Sequence, residues 1–177
     1  MAERAEANVV LERWNALNAV EAAREVLPCC GSQAWATMLA SRRPLTSVAA
    51  LLNAASDIWL ALPALDWIEA FNSHPRIGER HAQSTATEAS LKSSAQEQSV
   101  AISADAAAKL ALAEGNLRYE QRFGRIFIIC ASGRTAQEIL TMLELRMKSD
   151  DATELREAAE QQRQITLLRL RKWMGGE

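Results

Sequence analysis

Only one stretch of this chain, Ile126-Phe127-Ile128-Ile129-Cys130, reads as a β-strand, and a solitary strand has nothing to pair with. It is bracketed by Gly124 and Gly133 and too short to begin a sheet, so it is expected to be a buried extended connector. Its peptide groups then need partners other than a ladder, and a bound polar ligand is one source of them. Elsewhere alanine, leucine, glutamate, arginine and glutamine dominate, runs of β-branched residues are rare, and summed helix propensity is high. The pattern predicts an all-α fold.

Helices are expected over 18–27, 32–42, 46–61, 64–73, 87–99, 103–122, 135–148 and 151–173, with Pro28, Pro44, Pro63 and Pro75 at four of the joints. Ser32, Thr46 and Ser103 stand where N-caps belong, and Thr135 with Glu138 and Asp151 with Glu154 have capping-box spacing. A chain of 177 residues with 49% hydrophobic content can bury one sizeable core. The expectation is a single-domain bundle of about eight helices over 1–177, with 1–14 a loosely attached N-terminal segment. The polar stretch 79–90 reads as a mobile loop.

A net charge of −2 gives no general attraction to nucleic acid or anionic membrane, and the short basic run Arg169-Leu170-Arg171-Lys172 does not change that. No run approaches the ~18 to 20 apolar residues of a membrane span. The start, Met1-Ala2-Glu3-Arg4-Ala5-Glu6, offers no apolar signal core. Cys29, Cys30 and Cys130 form neither a disulfide framework nor a ligand set, and they read as buried small apolar residues in a reducing, cytoplasmic setting. The two histidines, His74 and His81, lie seven apart with no ligating pattern, so no metal is expected.

Three constellations are able to carry chemistry. In Asn72-Ser73-His74-Pro75-Arg76-Ile77-Gly78 the proline disfavours helical geometry at His74, which places the imidazole at a helix-to-loop corner. The competing reading is a simple helix stop whose histidine bonds the last free carbonyls. In Ser93-Ser94-Ala95-Gln96-Glu97-Gln98, helical spacing puts Ser94, Glu97 and Gln98 on one face, either as a polar ligand site with a carboxylate for proton transfer or as a solvated surface. In the last helix Leu155, Ala158, Ala159, Ile165 and Leu168 trace an apolar stripe with Arg169 at its edge, where a guanidinium needs an anionic or carbonyl partner, or else pairs with a structural carboxylate or snorkels to water. Arg146, seven residues after Ile139, reads as half of a structural ion pair.

His74-Pro75-Arg76-Ile77-Gly78, the Ser94/Glu97-Gln98 group, Asn116-Leu117-Arg118-Tyr119-Glu120-Gln121-Arg122-Phe123-Gly124 and Leu168-Arg169-Leu170 fall in one order. Together they resemble the 2-oxo-4-hydroxy-4-carboxy-5-ureidoimidazoline (OHCU) decarboxylase family, of the bacterial type, over nearly the whole chain from about Asn15. The resemblance implies an all-helical, cofactor-free, usually homodimeric enzyme that completes urate breakdown to (S)-allantoin. By position it implies His74 and Glu97 as the catalytic pair and Arg169 as the substrate-binding arginine. It further implies Pro75, Ser94 and Gln98 against the substrate, with a main-chain contact near Ile128. Ser93 departs from the family, many of whose members carry tryptophan there, and the loop before it is longer than usual. Two other readings are a helical binding module and a different small-molecule lyase or hydrolase on the same scaffold.

Overall fold

The computed structural model describes residues 2–76 and 106–175, and among these there are eight helices and no sheet. They are α1 (Ala2–Ala16), α2 (Ala19–Cys30), α3 (Gln33–Ser41), α4 (Val48–Ala61), α5 (Ala64–Asn72), α6 (Ala106–Phe123), α7 (Ala136–Arg146) and α8 (Asp151–Trp173). The all-α class is as expected, and seven of these helices overlay expected ones. The expected helix at 87–99 lies outside the described residues, as does the expected cap Ser103. No single helix among the described residues is long and apolar enough to cross a membrane.

The chain divides into two compact units, one of residues 1–69 with 163–177 and one of residues 70–162. In the first unit, α2 packs on α3, α3 on α4 and α1 on α4. Three tryptophans in it solve the same problem of burying a large ring while satisfying its N–H. Trp14 donates to the Ala22 carbonyl at 2.9 Å and meets Trp173 edge-on at 5.9 Å between centroids. Trp35 donates to the Ala55 carbonyl at 3.0 Å, and Trp67 donates to the Trp59 carbonyl at the same distance. Arg43 lies over the Trp14 ring and gives hydrogen bonds to the carbonyls of Trp14 and Leu17, closing the end of α1.

The N-terminal residues include helix α1, whose second half carries the buried Leu11 and Trp14. One expectation is corrected here. Pro28 does not end its helix: α2 runs on to Cys30 and stops at Gly31, whose φ of 89° only glycine adopts freely and whose N–H bonds the Leu27 carbonyl at 2.8 Å. Burial of Cys29 and Cys30 in that last turn rewards the extra residues. The N-caps are Asn18, Ser32 and Ser47, the last in place of the neighbouring Thr46.

In the second unit, α6 packs on α7 around Leu112, Tyr119, Phe123, Phe127, Ile129, Ala136, Ile139 and Leu143. Thr135 and Glu138 form the expected capping box of α7. The first turn of α8 is capped by Asp150, which accepts from the Thr153 N–H at 2.9 Å. Glu154, expected as the capping partner of Asp151, has another role.

The chain from Ile126 to Ile129 is a buried non-helical connector, entered through Gly124 at φ 65°. Protein groups satisfy its backbone at three points. Arg146 gives Nη1–H to the Ile128 carbonyl at 2.7 Å, Gln161 accepts from the Cys130 N–H at 3.0 Å, and Arg134 donates to the Cys130 carbonyl at 3.1 Å. Arg146 is the expected structural ion pair. Its guanidinium bonds Glu154 through Nη2 at 2.5 Å and Nε at 2.9 Å and lies over the Phe127 ring, while Tyr119 donates its hydroxyl to the same carboxylate at 2.5 Å.

Candidate active site

His74 follows the end of α5, and the local chemistry explains why the chain turns there. Proline at 75 disfavours another helical residue, so the final carbonyls of α5 must find donors outside the helix. Ser73 gives both its N–H and its hydroxyl to the Ala70 carbonyl, at 3.1 and 2.7 Å, and the His74 N–H bonds the Phe71 carbonyl at 3.1 Å. Main-chain donors and the serine hydroxyl thus serve the stop. His74 and Pro75 are nonetheless buried, His74 to 6% exposure.

Two residues further on, Arg76 grips Glu120 of α6 with two hydrogen bonds, Nε to Oε1 at 2.5 Å and Nη2 to Oε2 at 2.9 Å. A guanidinium fork on a carboxylate fixes direction as well as distance. This contact ties the first sequence motif to the third, which is where Glu120 sits. The third motif also supplies Tyr119 to the Glu154 carboxylate and ends at the left-handed Gly124. Ile128 is buried in the same unit, and the bond from Arg146 occupies its carbonyl.

Arg169 belongs to the other unit. It is 4% exposed on α8 and gives Nη1–H to the Pro28 carbonyl at 3.4 Å, near the negative end of α2. Beside it lie Thr166 and the fully buried Cys30. Burial pushes the Cys30 thiol up to about 12, against the opposing pull of the Ser32 backbone, the Thr166 side chain and the Arg169 charge. Such a thiol stays protonated and unreactive at neutral pH.

The buried side of α8 shares Ala158, Ala159 and Ile165 with the stripe read from sequence, but not the rest of it. Leu155 and Leu168 are only half-buried, while Glu154, Gln161, Gln162, Thr166 and Arg169 are buried. These positions continue the spacing of Ala158 and Ile165, so the signal was a helical period occupied by polar side chains. An apolar period does not point to Thr166 and Gln161, which are polar and buried. Ser94, Glu97 and Gln98 lie outside the described residues. Among the described residues, no group of three or more His, Cys, Asp or Glu has the arrangement to hold a metal ion.

A model of the OHCU decarboxylase family matches residues 15–171. The chain is 40% identical over 145 residues to the uric acid degradation bifunctional protein TTL of Arabidopsis thaliana, covering 81% of this chain but only 44% of that protein's length. It is 29% identical over 131 residues to the 2-oxo-4-hydroxy-4-carboxy-5-ureidoimidazoline decarboxylase of Xenopus laevis, covering 73% of this chain and 74% of the frog protein. Among solved structures, an OHCU decarboxylase crystallised in the presence of (S)-allantoin is similar at a TM-score of 0.73 and 39% identity, over 84% of this chain and 96% of that one.

Proposed function

The chain belongs to the OHCU decarboxylase family, and from that premise we propose that it decarboxylates OHCU to (S)-allantoin as a step in urate degradation. The observation that carries the reading is the span of the family match, 15–171, which takes in every motif that bears a candidate site residue. It favours this lyase over a binding module or an unrelated activity. A cytoplasmic location and a homodimer are parts of the same proposal. Val20, Leu60 and Leu65 leave apolar surface exposed in the first unit, which is consistent with a covering partner. Membership of the bacterial type is likewise proposed, on the sequence motifs alone.

The substrate carries its carboxylate on a ring carbon that also bears a hydroxyl, next to a carbon doubly bonded to nitrogen. When the carbon–carboxylate bond breaks, its electron pair moves toward that imine and carbon dioxide leaves, so the reaction needs no cofactor to accept electrons. The protein then has to orient the leaving carboxylate, accept the hydroxyl proton and deliver a proton to one face of the neighbouring carbon. In our reading His74 bonds the ring hydroxyl and manages its proton, and Glu97 is its acid-base partner at the carbon that becomes the stereocentre. Arg169, Gln98 and Ser94 hold the polar edges, with Pro75 and the main chain near Ile128 against the ring. A buried imidazole at a corner and a buried guanidinium near a helix C-terminus support these roles.

The test is circular dichroism of freshly generated urate-oxidation intermediate with and without the protein. Spontaneous decay gives racemic allantoin, so the expected result is faster conversion with a net (S) signal. A racemic product at the uncatalysed rate would reject the assignment.

A further inference from the structure

We propose that the Arg76–Glu120 ion pair is a positioning clasp that sets where the His74 imidazole stands. The inference rests on the reading of His74 as the acid-base group and adds two residues to which that reading gave no role. Upstream, His74 is fixed by the bonds of Ser73 and of its own N–H to the carbonyls of Ala70 and Phe71. Downstream, Pro75 has no N–H to give, and the next side chain to anchor the backbone is Arg76. Only His74 and Pro75 lie between the two anchored points.

The pair joins residues 44 positions apart, and the intervening sequence carries Ser94, Glu97 and Gln98. Glu120 stands on α6, one residue from Tyr119, whose hydroxyl is locked onto the buried Glu154 carboxylate. The clasp thus refers the His74 corner to a rigid, buried part of its own unit. With side chains 32% and 22% exposed, the pair adds little to global stability, as partly exposed pairs usually do. Its bidentate geometry acts instead on direction, and a displacement of about 1 Å at a catalytic group can cost roughly a hundredfold in rate.

The experiment measures steady-state kinetics and melting temperature of the full chain on fresh OHCU. Arg76→Ala and Glu120→Ala are each expected to lower kcat by roughly ten- to a hundredfold with little change in KM. The double alanine variant should fall no further than either single one. Arg76→Lys, which keeps the charge but loses the fork, should recover only part of the rate, and the exchanged pair Arg76→Glu with Glu120→Arg should recover more than Arg76→Glu alone. In a His81→Gln background the remaining imidazole proton resonance should shift in Arg76→Ala and return in the exchanged pair, a response that a role in stability alone would not give. Normal kcat in Arg76→Ala, or losses that multiply in the double variant, would overturn the clasp. If His74→Gln is inactive while Arg76→Ala is normal, only the clasp fails; if His74→Gln turns over normally, the histidine assignment fails and the clasp's catalytic role with it.

Discussion

Arg146 and Glu154, eight residues apart at the junction of α7 and α8, form a buried ion pair whose side chains are 4% and 0% exposed. The arginine also holds the Ile128 carbonyl and the glutamate accepts from Tyr119, so one contact braces the connector, α6, α7 and α8 within their unit. A buried pair of this kind costs most when only one member is removed, because a charge is then left without its partner. Glu154→Ala or Arg146→Ala should lower unfolding free energy by about 3–5 kcal/mol in urea titrations. The combined Arg146→Met and Glu154→Leu variant should lose clearly less than the sum, and an additive loss would show that the pair is not coupled.

His74→Gln and Glu97→Gln keep size and hydrogen-bonding capacity but remove acid-base function. Each should lower kcat by at least about a hundredfold, the scale of general acid–base catalysis, in an assay coupled from urate to allantoin. Near-normal turnover in either would withdraw that residue from the reaction.

Arg169→Ala is expected to raise KM more than it lowers kcat, because a group that holds the substrate throughout contributes to binding before the transition state. The side chain already meets the Pro28 carbonyl at the end of α2, so Arg169→Lys should restore charge without restoring the planar contact. An unchanged KM in Arg169→Ala would leave the arginine with a structural role only.

Cys30 gives a pH prediction whose sign is fixed by burial. Its folded-state value is about 12 against 9.0 for an ordinary thiol, so the native chain keeps a proton that the unfolded chain loses. Its contribution is therefore full below pH 9 and falls as pH rises toward 12, with a limiting slope of about 1.4 kcal/mol per pH unit. Buried Tyr119, raised in the same direction by burial and the Glu154 carboxylate, adds to alkaline destabilisation. The Cys30 part is the difference between the native protein and Cys30→Ala in denaturant titrations from pH 8 to 11 (about one pH unit below and two above an ordinary thiol). Identical slopes would mean that the thiol titrates alike in both states. A thiol-reactive dye at neutral pH should leave Cys30 unmodified until the chain unfolds.

Much of the fold was legible because helix formation depends on local spacing. The stops at Pro44 and Pro63, the Ser32 cap and the Thr135 capping box are interactions among residues a few positions apart, and they stand where the sequence puts them. Helix α1 escaped the reading because its charged first half hides the anchor, and Trp14 counts only once Ala22, Arg43 and Trp173 surround it. Pro28 looked like an end because its own chemistry says so, while burial of the two cysteines after it says otherwise.

At the candidate site, the residue types and the turn at His74 are legible in the chain alone, since Pro75 imposes that turn on its neighbour through short-range sterics. Folding settles what those residues touch: that Arg76 binds Glu120, that Arg146 takes the Ile128 carbonyl, and that the buried side of α8 mixes polar with apolar side chains. The difference is one of range. Backbone preference is written within a few residues, whereas a buried charge or amide is stable only beside a partner that folding brings from elsewhere in the chain.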